Sequence, residues 1–174
     1  MYGQKDYNTT INHYVSHFQY DSAAYYTQKG IKENKEDNHL KASYYIRYAQ
    51  ILKSLSKADS CFYFLDKAEN YFKKVNNRNE LFHILTIRAE VSRYLVKQNL
   101  ANSYIYEAEK LFNENTNLHY KYYYLNRRMA ILAEYYNTTP DSLTKVKEIG
   151  HEILENATEI EDKSIIVYTL NEIG

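Results

Sequence analysis

His13 and His17 stand four residues apart. On a helix that spacing puts two imidazoles on one face, where they can chelate zinc. No third ligand lies near them in sequence, and no acid accompanies them in the pattern of zinc hydrolases. The two read as a partly exposed surface pair. Cys61 is the only cysteine, so no internal disulfide is available. It falls at a small-residue packing position (below), which makes it a buried structural thiol rather than a nucleophile. His39, His83, His119 and His151 form no triad pattern with it. The four glycines are scattered, which leaves no glycine-rich phosphate loop. Asn8-Thr9-Thr10 and Asn137-Thr138-Thr139 match glycosylation sequons, but such triplets are frequent by chance in a chain rich in Asn and Thr. The expectation is a chain that is not an enzyme and holds no metal and no cofactor.

The elements around these residues are helices. The chain has 174 residues, enough for one domain with a sizeable core. It has four Gly and one Pro, too few for a sheet with many tight turns. Tyr numbers 21 and Trp is absent, so large rings with a polar tip do much of the packing. Lys plus Arg and Asp plus Glu are both 22. That balance argues against nucleic acid as a partner, because displacing condensed counterions calls for a basic excess. The like-charge runs are pairs such as Lys73-Lys74 and Arg127-Arg128, which read as solvated helix faces. No apolar run approaches the ~20 residues needed to span a bilayer. No secretory leader is visible, and cytoplasm and export both stay open.

A repeat organises the helices. Ala49, Ala89 and Ala130 recur at steps of 40 and 41, and Cys61 and Ala101 at 40, as do Ala68 and Ala108. The internal spacing is kept: 12 residues from Ala49 to Cys61 and from Ala89 to Ala101, then seven to Ala68 and Ala108. Small residues at fixed spacing let antiparallel helices approach closely. A second pattern, Asp or Asn followed by Ser, recurs at Asp21, Asp59, Asn102 and Asp141 and is expected to cap helix starts. Pro140 fits the last of these boundaries. In the third unit the two patterns disagree by two residues, and the small-residue register is preferred, because packing constrains it more tightly. First helices are expected at about Asp6 to Phe18, His39 to Leu55, Asn79 to Lys97 and Leu118 to Tyr136. Second helices follow at about Ser22 to Asn34, Ser60 to Val75, Ala101 to Asn113 and Ser142 to Asn156. Polar linkers join them at Lys35 to Asn38, Asn76 to Arg78 and Glu114 to Asn117.

These small-residue spacings, with segments such as Asp21-Ser22-Ala23-Ala24-Tyr25-Tyr26, resemble the tetratricopeptide repeat over nearly the whole chain. The period departs from it, near 40 residues against ~34. The usual Gly at the end of the first helix and Pro at the end of the second are missing. The long period is similar to that of repeats in the sensor and regulatory regions of bacterial signalling proteins. The resemblance implies an all-α, right-handed α-α superhelix as a single solenoid domain over 1–174. Its units would be about 5–37, 38–78, 79–117 and 118–160, with a truncated fifth at 163–174. It also implies a concave groove lined by the first helices, with ligand-facing residues at fixed offsets from the small residue. Those offsets place Asn8, Asn12, Gln50, Lys53, His83, Glu90, Arg93, Tyr124, Arg127 and Glu134 in the groove. They add Ile46, Thr86, Tyr168 and Asn171.

Lys163 to Gly174 is strongly apolar at helical spacing, and Gly174 takes the place of Ala49, Ala89 and Ala130. The expectation is a fragment ending inside the first helix of a fifth unit, from a longer protein that carries an output domain. The expected role is recognition of a peptide or protein segment. The alternative is a structural scaffold that self-associates into a homo-oligomer through its Tyr-rich faces.

Overall fold

The computed structural model describes residues 6–136, 140–156, 158–160 and 163–173. The sequon at Asn137 and the chain end at Gly174 lie outside them. Among the described residues the chain is all-α, with nine helices and no strand. They are α1 (Asn8–Ser16), α2 (Tyr20–Glu33), α3 (Asn38–Ser54), α4 (Ala58–Lys74), α5 (Arg78–Tyr94), α6 (Gln98–Glu109), α7 (Leu118–Tyr136), α8 (Pro140–Glu155) and α9 (Lys163–Ile173). The chain divides into two compact units, Met1–Glu80 and Leu81–Gly174. In the first, α1 packs on α2, α2 on α3 and α3 on α4. In the second, α6 packs on α7, α7 on α8 and α8 on α9, while α7 also meets α9. Helices that pair in chain order, with first helices also touching the next first helix, are the packing of a helical-repeat solenoid.

The small residues mark where helices approach. Ala23, Cys61 and Ala101 are each the fourth residue of a second helix, and each is fully buried. Ala49, Ala68, Ala89 and Ala108 are buried to the same degree. In the first unit Ile11, Ala23, Tyr44 and Ile51 form a buried core, with Tyr14, Tyr20, Tyr26 and Leu40 packed around it. Gly30 is where α2 lies against α3: a Cβ there would sit 2.7 Å from Cζ of Tyr44. Gly150 plays the same part between α8 and α9, where a Cβ would meet Ile173 Cγ2 at 2.6 Å.

The turns explain how the chain reverses without glycine. Phe18, Ser56 and Val96, each just past a first helix, adopt φ of 57°. Each turn closes with the paired bonds of a Schellman motif. The outer bonds run from the N–H of Gln19 to Tyr14 O (2.9 Å), of Lys57 to Leu52 O (2.8 Å) and of Lys97 to Ser92 O (2.9 Å). Asn76, after α4, repeats the geometry with φ 51°.

The Asp-Ser reading needs correction. Asp21 and Asp59 are the second residues of their helices, not caps, and Asn102 is the fifth residue of α6. The residues before these helices, Gln19, Lys57 and Lys97, make no side-chain cap bond. Their backbone N–H groups close the Schellman turn, and the ammonium groups of Lys57 and Lys97 have no acceptor to offer as a cap. Side-chain caps occur instead before first helices. Asp37 accepts from the Leu40 N–H (2.8 Å), Asn77 from that of Glu80 (3.2 Å) and Asn117 from that of Tyr120 (3.2 Å). These three recur at 40-residue steps.

Candidate functional site

In the second unit the site is a polar network between first helices. Glu90 on α5 is 1% exposed. Its Oε1 accepts from the Tyr94 hydroxyl at 3.0 Å and pairs with Arg127 Nη1 of α7 at 3.0 Å. Its Oε2 accepts from the Tyr123 hydroxyl. Donors surround the carboxylate, as a buried charge requires. The Arg127 guanidinium lies 4.9 Å from the Tyr123 ring centre and 5.7 Å from that of Tyr168 on α9. One turn further along α5, Arg93 pairs with Glu134 of α7. At the other end His83 stacks flat on Tyr120, with ring centres 4.0 Å apart. Between α7 and α9, Asn126 Nδ2 donates to Thr169 Oγ1 at 3.2 Å, both residues being buried.

This environment shifts the titrating groups. Burial first, then the Glu90 charge, holds the Tyr123 hydroxyl well above the ordinary tyrosine value and raises Tyr94 as well. For Arg127, burial acts to lower the pKa, but Glu90 and the neighbouring tyrosines outweigh it and the net direction is upward. Burial also pushes Tyr124 up to about 12.

In the first unit the corresponding face is more open. Asn8 and Asn12 are exposed on α1, and Gln50 and Lys53 are half-buried on α3. Arg47 of α3 donates through Nη2 to the Asn12 side-chain oxygen. Ser43, Arg47, Gln50 and Ser54 follow at helical steps and form one polar stripe of α3. Asn8, Asn12 and Ser16 form the matching stripe of α1.

The structure therefore sorts the sequence candidates into three groups. Asn8, Asn12, Gln50, Lys53, Arg93 and Glu134 lie at the surface or half-buried, and Tyr168 and Asn171 are exposed. His83, Thr86, Glu90 and Arg127 are buried, with His83, Glu90 and Arg127 in contact with neighbouring first helices. Tyr124 points away from the face, 2% exposed, with Phe82 and Phe112 ring centres 5.0 and 6.3 Å away, and Ile46 is buried. The residues that reach the adjacent first helix are their neighbours, Tyr123 and Arg47. One position along a helix is a rotation of about 100°, and an offset counted from an alanine can slip by that amount. Tyr94 was missed for a different reason, since it closes a helix and lies beyond the repeated offsets.

His13 and His17 are exposed, with ring centres 4.4 Å apart, and His17 Nδ1 is bonded to the His13 carbonyl oxygen at 2.8 Å. Among the described residues no group of three or more His, Cys, Asp or Glu side chains is placed to hold a metal ion. Cys61 is buried. Among the described residues no helix is long and apolar enough to cross a membrane. Compared with protein-family models, curated proteins and solved structures, the chain matches none.

Proposed function

We propose that this chain is a non-catalytic binding module that holds an extended peptide or protein segment along the faces of its first helices. The observation that carries the reading is the way polar side chains of successive first helices hold one another. Asn12 and Arg47 do so in the first unit, and Glu90, Arg93, Tyr123, Arg127 and Glu134 in the second. Side chains fixed in this way lose little entropy when a ligand arrives. Amides such as Asn8, Asn12 and Gln50 suit the backbone groups of an extended peptide. A buried pair such as Glu90–Arg127 stabilises a fold no better than well-packed apolar residues do. Beside it the half-buried Arg93 and the exposed Glu134 fit a surface kept polar for recognition. The resemblance to long-period repeats of bacterial regulatory proteins supplies the setting: the recognition part of a signalling or transcription-regulating protein. Calorimetric titration of the chain with a randomised peptide library is the test. Saturable binding that is weakened by Gln50→Ala and Arg93→Ala is expected; binding indifferent to both rejects the face.

A second reading, a scaffold that self-associates, is favoured by α9. Val167, Tyr168 and Leu170 are 56%, 53% and 51% exposed there, and apolar side chains left in water at that density favour association. Sedimentation separates the two readings. A concentration-dependent dimer abolished by Val167→Lys with Leu170→Lys supports the scaffold, and a monomer at all concentrations removes it.

A further inference from the structure

Arg47 is a guanidinium without a counter-ion. Its partner is the neutral Asn12 side chain, and among the described residues no carboxylate pairs with it. Burial lowers its pKa, and no nearby acid opposes that shift. The hydrogen bond to Asn12 nevertheless lies at the surface, within a ligand's reach. The setting is one-sided in charge. Helices α1 and α3 contain no Asp or Glu, whereas α2 and α4 carry Asp21, Glu33, Asp59, Asp66 and Glu69. Asp6, which precedes α1, is engaged by the Asn8 N–H at 2.8 Å and the Tyr44 hydroxyl at 3.4 Å. In the second unit, by contrast, Arg93, Arg127 and Arg128 are each paired with a glutamate.

A partly desolvated cation facing only neutral groups is costly, and an arriving anion lowers that cost. The fork of donors on a guanidinium matches the oxygens of a carboxylate or a phosphoryl group. Around Arg47 the stripe is neutral: Asn8, Asn12, Ser16, Ser43, Gln50 and Ser54. A nucleic acid would present a row of phosphates and call for a row of cations. Arg47 is the one charge within this stripe, with Lys53 beside it on α3, and so few cations among amides and hydroxyls fit a peptide with one anionic group. We propose that the α1–α3 face of the first unit is an oxyanion-reading subsite. There Arg47, held by Asn12, receives one carboxylate or phosphoryl group of a bound peptide whose backbone lies along Asn8, Asn12 and Gln50. This rests on the peptide-holding reading above and names the ligand class.

The test uses the full chain and fluorescent ten-residue peptide pools that differ at one fixed central residue: Glu, phosphoserine or Gln. Each pool is made as a C-terminal acid and as an amide. The expected result is that an anionic pool binds about tenfold or more tightly than the Gln amide pool, the scale of one charge-assisted hydrogen bond. The arm showing the gain tells whether a side-chain carboxylate, a phosphoryl group or a chain terminus is read. Arg47→Gln removes the preference. So does Asn12→Asp, which gives Arg47 a counter-ion of its own and so keeps the fold. Lys73→Gln, the same charge change on exposed α4, leaves the preference intact. A preference that survives both Arg47→Gln and Asn12→Asp overturns the subsite. So does equal binding of all pools, which leaves the peptide-holding reading standing. Competition by single-stranded RNA that is lost in Arg47→Gln also overturns it. Failure of every pool to bind removes the peptide-holding reading itself.

Discussion

Glu90 keeps its charge away from water only because Tyr94, Tyr123 and Arg127 all reach it. Removing the charge leaves Arg127 buried beside a neutral group. Glu90→Gln is therefore expected to lower unfolding free energy by about 3 kcal/mol, measured by urea denaturation. Glu90→Leu with Arg127→Met and Tyr123→Phe, which removes both charges and the buried hydroxyl that donates to Glu90, is expected to lose much less, about 1 kcal/mol or below. Equal losses in the two variants would show that a stranded Arg127 charge is not what Glu90→Gln costs. Tyr124 gives a second prediction. Its folded-state pKa is raised from 10.0 to about 12, so the fold favours the neutral hydroxyl. That stability is complete below pH 10.0 and is lost as pH rises through about 12. Tyr124→Phe should flatten the fall of stability with pH across that window, and an unchanged slope would contradict the assignment. At this scale the sequence is least legible. Tyr122, Tyr123 and Tyr124 are three identical letters, yet only Tyr123 reaches Glu90. All three are buried; which ring faces Glu90 depends on helix rotation, and the pattern of apolar residues fixes that only to within a position.

At the scale of the helix, the sequence is read more easily. The expected Leu118 to Tyr136 matches α7 at both ends, the expected start at Lys163 matches α9, and the starts and ends of the other helices differ by one to four residues. Apolar periodicity and buried small residues set these positions through packing, which acts along the whole helix. The turns were not legible, because nothing in Phe18, Ser56 or Val96 announces positive φ. That conformation is forced on them by the closing bonds and by the need to bring the next helix back. Val96 is a β-branched residue in a left-handed conformation at φ 57° and is 72% exposed. It carries a backbone cost of about 1–2 kcal/mol with no packing to offset it. Val96→Gly is therefore expected to raise stability by about 1 kcal/mol, seen as a higher denaturant midpoint at unchanged slope. A fall in midpoint would mean that the side chain makes contacts that outweigh the strain. The caps at Asp37, Asn77 and Asn117 could have been found by the same 40-residue step that found the alanines. They stand in the polar linkers, where no packing holds the register.

At the scale of the molecule, helices that pair in chain order confine each residue's influence to its neighbours. Stability in such an arrangement is close to a sum over adjacent interfaces, and local unfolding need not propagate. Gly30 offers a sharp test of this. A methyl group there meets the Tyr44 ring at 2.7 Å. That ring is 1% exposed and is held by its hydroxyl, which accepts from the Tyr7 N–H at 2.9 Å. It cannot swing aside without breaking the tie between α3 and the start of α1. Overpacking costs about 1–3 kcal/mol, against which Ala gains about 1 kcal/mol over Gly in helix propensity. Gly30→Ala should thus destabilise α1, α2 and α3 by up to about 2 kcal/mol. Hydrogen exchange read by mass spectrometry is expected to speed up in peptides from those helices. The amides of α7, α8 and α9 should keep the wild-type rate. The converse holds for Gly150→Ala, where the methyl group meets Ile173 Cγ2 at 2.6 Å and loosens α8 and α9. If either substitution accelerates exchange evenly along the chain, the two units unfold together. The neighbour-by-neighbour view of stability would then be wrong for this protein.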